Sequence, residues 1–178
     1  REAFNNWGSV LSGQAKMAEG EEADRLLKQA GEKYAIVLEI APYDTDALGN
    51  WANALSEQAR RARGSEADRL FELAYQKYRA ALEHGPVVAS MLNNWGAALE
   101  SHAEKKEGEE ANRLFLLAEE KYEQSFRLEP DKPETLVDWG SVLLSHAKTK
   151  TGTDADGLFA SAGKKYENAL ALRPRMHQ

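Results

Sequence analysis

The chain has 178 residues, is 42% hydrophobic and 29% charged, and carries a formal net charge of −6. No run approaches the roughly 18 consecutive apolar residues that a membrane span needs, and an acidic balance argues against nucleic acid, whose phosphates demand Lys and Arg. Cysteine is absent, which removes disulfides and thiol nucleophiles and fits a soluble protein of a reducing, intracellular compartment.

The predicted elements fall into four like stretches, 1–44, 45–88, 89–132 and 133–176, because Trp7, Trp51, Trp95 and Trp139 stand 44 residues apart each time. A fixed period of this size is the signature of a repeat architecture, so the chain is expected to be a single repeat domain. In repeat 1, Phe4, Trp7, Gly8, Leu11 and Ala15 step by three or four residues. That spacing places them on one stripe of a helix. Gly20 is expected as the residue closing this helix, since glycine takes positive φ at no steric cost. Ala23, Leu26, Leu27, Ala30, Tyr34, Val37 and Leu38 form a second stripe, and Pro42 ends the second helix.

Repeat 2 carries the same signs at Trp51, Ala52, Leu55, Gly64, Leu70, Ala74, Tyr78 and Pro86. Repeat 3 carries them at Trp95, Gly96, Leu99, Gly108, Leu114, Ala118, Tyr122 and Pro130. Repeat 4 carries them at Trp139, Gly140, Leu143, Gly152, Leu158, Ala162, Tyr166 and Pro174. Ser65 with Asp68, and Thr153 with Asp156, resemble a capping box with Asp in place of Glu. Strict alternation, the strand signal, is missing. The fold class predicted is all-α: four antiparallel helical hairpins, eight helices, stacked as an α-solenoid. One hairpin cannot bury its apolar stripe alone, and a stack of them can. The tryptophans, being on that stripe, are expected in the core.

As a pattern, the first helix gives L/F-x-x-W-G-x-x-L and the second A-x-x-x-Y-x-x-[VAS]-[LF]-x-x-x-P. All four units resemble the tetratricopeptide repeat, whose unit of about 34 residues carries W-x-x-L-G-x-x-Y, then A-x-x-x-F, then Pro. The extra residues fall at the hairpin tip, between Lys16 and Leu27 in repeat 1, and are expected to lengthen both helices by about 7 Å each. The resemblance implies a right-handed superhelix whose concave face is lined by the first helix of each hairpin. It also implies a non-catalytic scaffold that binds a peptide or protein segment there. One subtype clamps a chaperone's C-terminal carboxylate with cationic side chains. The matching positions here hold Asn5, Gly49, Asn93 and Val137, then Ser9, Asn53, Ala97 and Ser141. Asn50 matches a clamp asparagine, but the cations are missing, so that clamp is not expected.

The helical wheel sets the candidate partner-binding residues opposite the Trp/Leu stripe. They are Asn5, Asn6 and Ser9; Asn50 and Asn53; Asn93 and Asn94; and Asp138 and Ser141. Glu2, Ser12, Asp46, Ser56, Ala97, Glu100, Ser101, Glu134 and Ser145 lie on the same side. The residue just before each Trp reads Asn6, Asn50, Asn94, Asp138. A carboxamide both donates and accepts, so a row of them suits a peptide backbone. The bland alternative is that they cap helices or bond to neighbouring helices within the stack.

No catalytic motif, phosphate loop or cofactor site is recognisable, so neither an enzyme nor a cofactor or metal is expected. Carboxylate neighbours such as Glu109–Glu110 and Glu119–Glu120 diverge around a helix and do not form an acid/base pair. His102 and His146 are equivalent, but packed helices lie about 8–10 Å apart, and zinc needs imidazole at about 2.0–2.1 Å. They are expected as surface histidines, like His84 and His177. The runner-up function is a self-association element of a larger protein. The last predicted helix, near 154–172, would display Leu170 or Leu172 on an outer face, and terminal repeats normally need a polar one. A second copy, or the rest of a longer parent chain, would cover it. Arg1 in place of Met suggests such a parent.

Overall fold

The computed structural model describes residues 1–172, and these form eight α-helices and no strand. They are α1 (Glu2–Ala15), α2 (Gly20–Ile40), α3 (Thr45–Arg61), α4 (Gly64–His84), α5 (Ala89–Ala103), α6 (Gly108–Leu128), α7 (Pro133–Ala147) and α8 (Gly152–Leu172). Pro174 and His177 lie outside the described residues. The chain divides into two compact units, Arg1–Val87 and Val88–Gln178. Unit 1 holds the hairpins α1–α2 and α3–α4, and unit 2 holds α5–α6 and α7–α8. In unit 1, α2 packs on α3 and α1 touches α3; in unit 2, α6 packs on α7 and α5 touches α7.

Each hairpin closes on one tyrosine. Tyr34, Tyr78 and Tyr122 are the largest fully buried side chains. In three hairpins the tyrosine ring lies on the glycine that follows the Trp. A Cβ at Gly8 would stand 2.6 Å from the Tyr34 ring, one at Gly140 would stand 2.7 Å from Tyr166, and one at Gly96 would stand 3.0 Å from Tyr122. Repeat 2 places Ala52 there. Glycine at the other three positions lets the second helix come in close, and each buried ring contributes about 1.5–3 kcal/mol by leaving water.

Several sequence expectations change at the helix ends. Gly20, Gly64, Gly108 and Gly152 do take positive φ, between 55° and 62°. They open the second helix of each hairpin instead of closing the first, which stops at Ala15, Arg61, Ala103 and Ala147. Ser65 and Thr153 lie inside α4 and α8; the N-cap of α4 is Arg63, with no side-chain cap bond. Asp44 does cap α3, accepting from the Ala47 N–H at 3.0 Å. The second helices are 21 residues long against 14 to 17 for the first, so the added length is not shared evenly. Pro42, Pro86 and Pro130 follow α2, α4 and α6 by two residues, as a helix stop should.

The tryptophans are not core. Trp7 is 53% exposed, and Trp51, Trp95 and Trp139 are half-buried. Each indole has a lysine of the second helix over its ring, and Trp51 also packs against the buried cluster around Leu27 and Tyr34. The histidines also differ from expectation. His102 and His146 are buried, each only 3% exposed, whereas His84 is exposed and lies against Tyr43 with ring centroids 3.9 Å apart. In the joint between α6 and α7, His146 Nδ1 lies 2.8 Å from Glu119 Oε1 and Nε2 lies 2.9 Å from Asn112 Oδ1. Its ring stacks on Phe115 at 5.0 Å. Those partners lie on the preceding hairpin, which a single helix's pattern does not reveal. Among the described residues no helix is long and apolar enough to cross a membrane.

Candidate functional site: grooves between the first helices

In unit 1 a cavity of about 200 Å³ opens between α1 and α3. Ser9, Ser12 and Gly13 line it from α1, Lys16 from the turn that follows, and Asn50, Asn53, Ala54 and Glu57 from α3. Leu27 and Tyr34 of α2 complete the lining. The Tyr34 hydroxyl lies 3.4 Å from both Ser9 and Ser12 Oγ. The space exists because α1 presents small side chains along this turn, and nothing stands within 4 Å of where a Gly13 Cβ would be.

The two asparagines of α3 are each half engaged. Asn50 Nδ2 donates to Asn5 Oδ1 at 3.3 Å and to Ser9 Oγ at 3.5 Å. Asn53 Oδ1 accepts the Tyr78 hydroxyl at 2.6 Å. Burial pushes the Tyr78 phenol up to about 12, against smaller opposing effects of Ser56 and Arg60. The second-helix tyrosine thus reaches through its hairpin and orients a groove residue. Tyr166 repeats this in unit 2, with its hydroxyl 3.2 Å from Ser141 Oγ, and Ser141 also donates to Val137 O.

The groove of unit 2, between α5 and α7, is built at the same positions with different chemistry. Asn93 Nδ2 donates to Asp138 Oδ2 at 3.1 Å, the counterpart of Asn50 to Asn5 with the donor on the other helix. Ser145 donates to Glu100 at 3.1 Å and to Glu104 at 3.3 Å, so two carboxylates span the space that Ser12 and Lys16 leave open in unit 1. Burial raises the Asp138 carboxyl above the ordinary range, and the nearby Glu134 charge adds to the rise. Asn93 Oδ1 is buried with no hydrogen-bond partner.

The nine candidate residues therefore divide. Asn5, Ser9, Asn50 and Asn53 meet around the unit 1 groove, and Asn93, Asp138 and Ser141 around the unit 2 groove. Asn6 and Asn94 are exposed. Asn5–Asn50 and Asn93–Asp138 also bond neighbouring helices, in line with the bland alternative. A ladder of lysines is absent from the candidates that the helical wheel supplies. Lys33, Lys77, Lys121 and Lys165 place their ammonium groups 4.4, 4.2, 4.9 and 3.1 Å from the indole centroids of Trp7, Trp51, Trp95 and Trp139. They recur at the same 44-residue interval, each one residue before the tyrosine that closes its hairpin. That recurrence is the signal the sequence holds for them.

No protein-family model matches the chain, and no curated protein matches it in sequence.

Proposed function

We propose that the chain is a non-catalytic, tetratricopeptide-like scaffold that binds an extended peptide segment in the groove between α1 and α3. The observation that carries this reading is the pairing of Asn50 and Asn53 beside an open cavity. Asn50 spends its amide donors on Asn5 and Ser9, which leaves its carbonyl oxygen to accept. Asn53 spends its carbonyl oxygen on Tyr78, which leaves its amide to donate. Residues three apart on a helix stand about 5–6 Å from each other, a reach that suits the N–H and C=O of one peptide backbone. Lys16 and Glu57 stand at the same cavity with opposite charge, which favours a segment of low net charge.

Selection from a randomised peptide display library, followed by fluorescence polarisation on the peptides recovered, tests this. Asn50→Ala with Asn53→Ala should weaken binding about tenfold or more, since each lost hydrogen bond is worth about 0.5–1.5 kcal/mol. Equal affinity in the double variant, or no peptide recovered, sinks the reading. A second reading, a self-associating assembly element, is supported by the outer face of α8, where Phe159 and Leu170 are 44% and 66% exposed.

A further inference from the structure

The geometry points to a small-molecule site on the seam between α2 and α3, one that takes an aromatic ring carrying an anionic group. It is separate from the peptide groove, which opens between α1 and α3.

Two cavities adjoin along this seam. The first, of about 250 Å³, has Trp51 as a wall and Leu27, Gly31, Ala35 and Ala54 as its apolar lining. An apolar cavity of about 150 Å³ is enough to hold benzene, so a ring fits here. Three of the lining residues are Gly or Ala. A side chain at Gly31 would press on the indole, its Cβ 3.1 Å from Trp51 Nε1. The slot therefore exists because small residues stand beside a large one. The second cavity, of about 490 Å³, has Arg61, Arg69, Asp24 and Glu66 in its lining. Lys28 and Gln58 line both cavities and stand where the two meet.

Unit 2 shows what shape belongs in the slot. At the positions of Leu27, Gly31, Ala54 and Gln58 it carries Phe115, Glu119, Val142 and His146. The Phe115 ring and the His146 imidazole are buried there and stacked, with centroids 5.0 Å apart and 16° between their planes. Unit 2 fills with its own rings the place that unit 1 leaves open.

The second cavity supplies the charge. Arg61 donates from Nε to Asp24 and from Nη2 to the Gly20 carbonyl. Arg69 donates from Nε and Nη2 to Glu66. Both carboxylates are thus matched by an arginine, and each arginine keeps Nη1 to donate. Lys28 makes no ion pair among the described residues, so its ammonium is the charge left uncompensated. Unit 2 has Leu116, Thr149 and Gly157 where unit 1 has Lys28, Arg61 and Arg69. Open slot and cations go together in unit 1 and are replaced together in unit 2. A ring against Trp51 with a phosphate or carboxylate on Lys28 uses both, the anion through a charge-assisted hydrogen bond. A neutral ring leaves Lys28 unmatched, and a bare anion leaves the slot unfilled.

Phenyl phosphate is the probe, with phenol and inorganic phosphate as its two halves. Titration of the whole chain, followed through the Trp51 indole N–H resonance, reads the slot directly. The resonance should shift saturably with phenyl phosphate, and each half alone should bind about tenfold more weakly or worse, as a lost charge-assisted bond or a lost ring contact implies. Lys28→Leu copies unit 2 at an exposed position and should bring phenyl phosphate to the affinity of phenol. Leu27→Phe with Ala54→Val copies the unit 2 filling and should abolish the shift; circular dichroism checks that this variant folds. The absence of any saturable shift with phenyl phosphate overturns the site. Wild-type affinity in Lys28→Leu, or inorganic phosphate binding as tightly as phenyl phosphate, overturns the pairing of ring and charge. Unchanged binding by the folded, filled variant overturns the slot.

Discussion

Lys77 holds its ammonium 4.2 Å from the centroid of the Trp51 indole, and a hairpin-spanning pair of this kind occurs in every repeat. The lysine precedes the tyrosine that packs on the first helix. The two helices are thus joined inside by Tyr on a small residue, and at the surface by Lys on Trp. Burial lowers the Lys77 amine, and it lowers Lys165 against the opposing charges of Glu123 and Glu119. The indole face offsets part of that desolvation.

A cation over an indole contributes about 0.5–1 kcal/mol when exposed and about 2 kcal/mol when desolvated. A double-mutant cycle with Trp51→Leu and Lys77→Met, followed by urea denaturation, should give a coupling of about 0.5–1 kcal/mol for this half-buried pair. Additive single-variant costs would mean that the two side chains are neighbours without attraction.

Tyr78→Phe removes the hydroxyl that orients Asn53 and should cost about 1–2 kcal/mol. The phenol also sets a pH dependence. Its folded value of about 12 lies above the ordinary value of 10.0, so its contribution is complete below pH 10 and is lost as pH rises towards 12. Ultraviolet titration of the native chain should show a late phenolate step, and Tyr78→Phe should diminish it. A titration in which all tyrosines ionise together would contradict the burial argument.

Asp138 stands where three repeats carry asparagine, and its carboxyl is raised by burial and by Glu134. A raised carboxyl favours the folded chain most below its unfolded pKa of about 3.9, and that advantage is lost as pH rises through the folded value. Asp138→Asn should therefore stabilise the chain at pH 7, by less than about 1 kcal/mol because solvent screens a half-exposed group. It should give no gain near pH 3. Thermal melts at the two pH values decide, and a gain only at pH 3 would reverse the sign.

The hairpins are legible in the sequence because the apolar stripe of one helix is written within a dozen residues. The groove is half legible: Asn50 and Asn53 fall opposite the Trp stripe by the wheel alone. That Tyr34 and Tyr78 reach that face through their hairpins depends on a 25-residue separation that no wheel contains. The contrast between an open unit 1 groove and a carboxylate-filled unit 2 groove depends on α1 meeting α3 and α5 meeting α7. Tryptophan misleads because its size suggests burial, whereas an amphipathic ring with a cation above it suits a surface seam. His146 misleads in the opposite direction, since a buried imidazole needs partners from another hairpin.

Those partners make His146 the most stringent test of the repeat joints. The imidazole is bonded at both nitrogens, to Glu119 and Asn112, and stacked on Phe115. Asn112 also accepts from Lys150 at 2.5 Å, so the cluster spans α6, α7 and the turn that follows it. His146→Ala leaves a void beside Phe115 and strips partners from two polar groups, and should cost about 2–4 kcal/mol. His146→Gln, matching Gln14 and Gln58 of the first two repeats, keeps one hydrogen bond and should cost about half as much. Because contacts in stacked hairpins are nearest-neighbour, the loss should be local. Amide hydrogen exchange should quicken in α6, α7 and α8 and stay unchanged in α1 and α2. A cost below about 1 kcal/mol would remove the cluster from the account of what holds α6 to α7, and equal loss of protection in α1 would mean that the two units unfold as one.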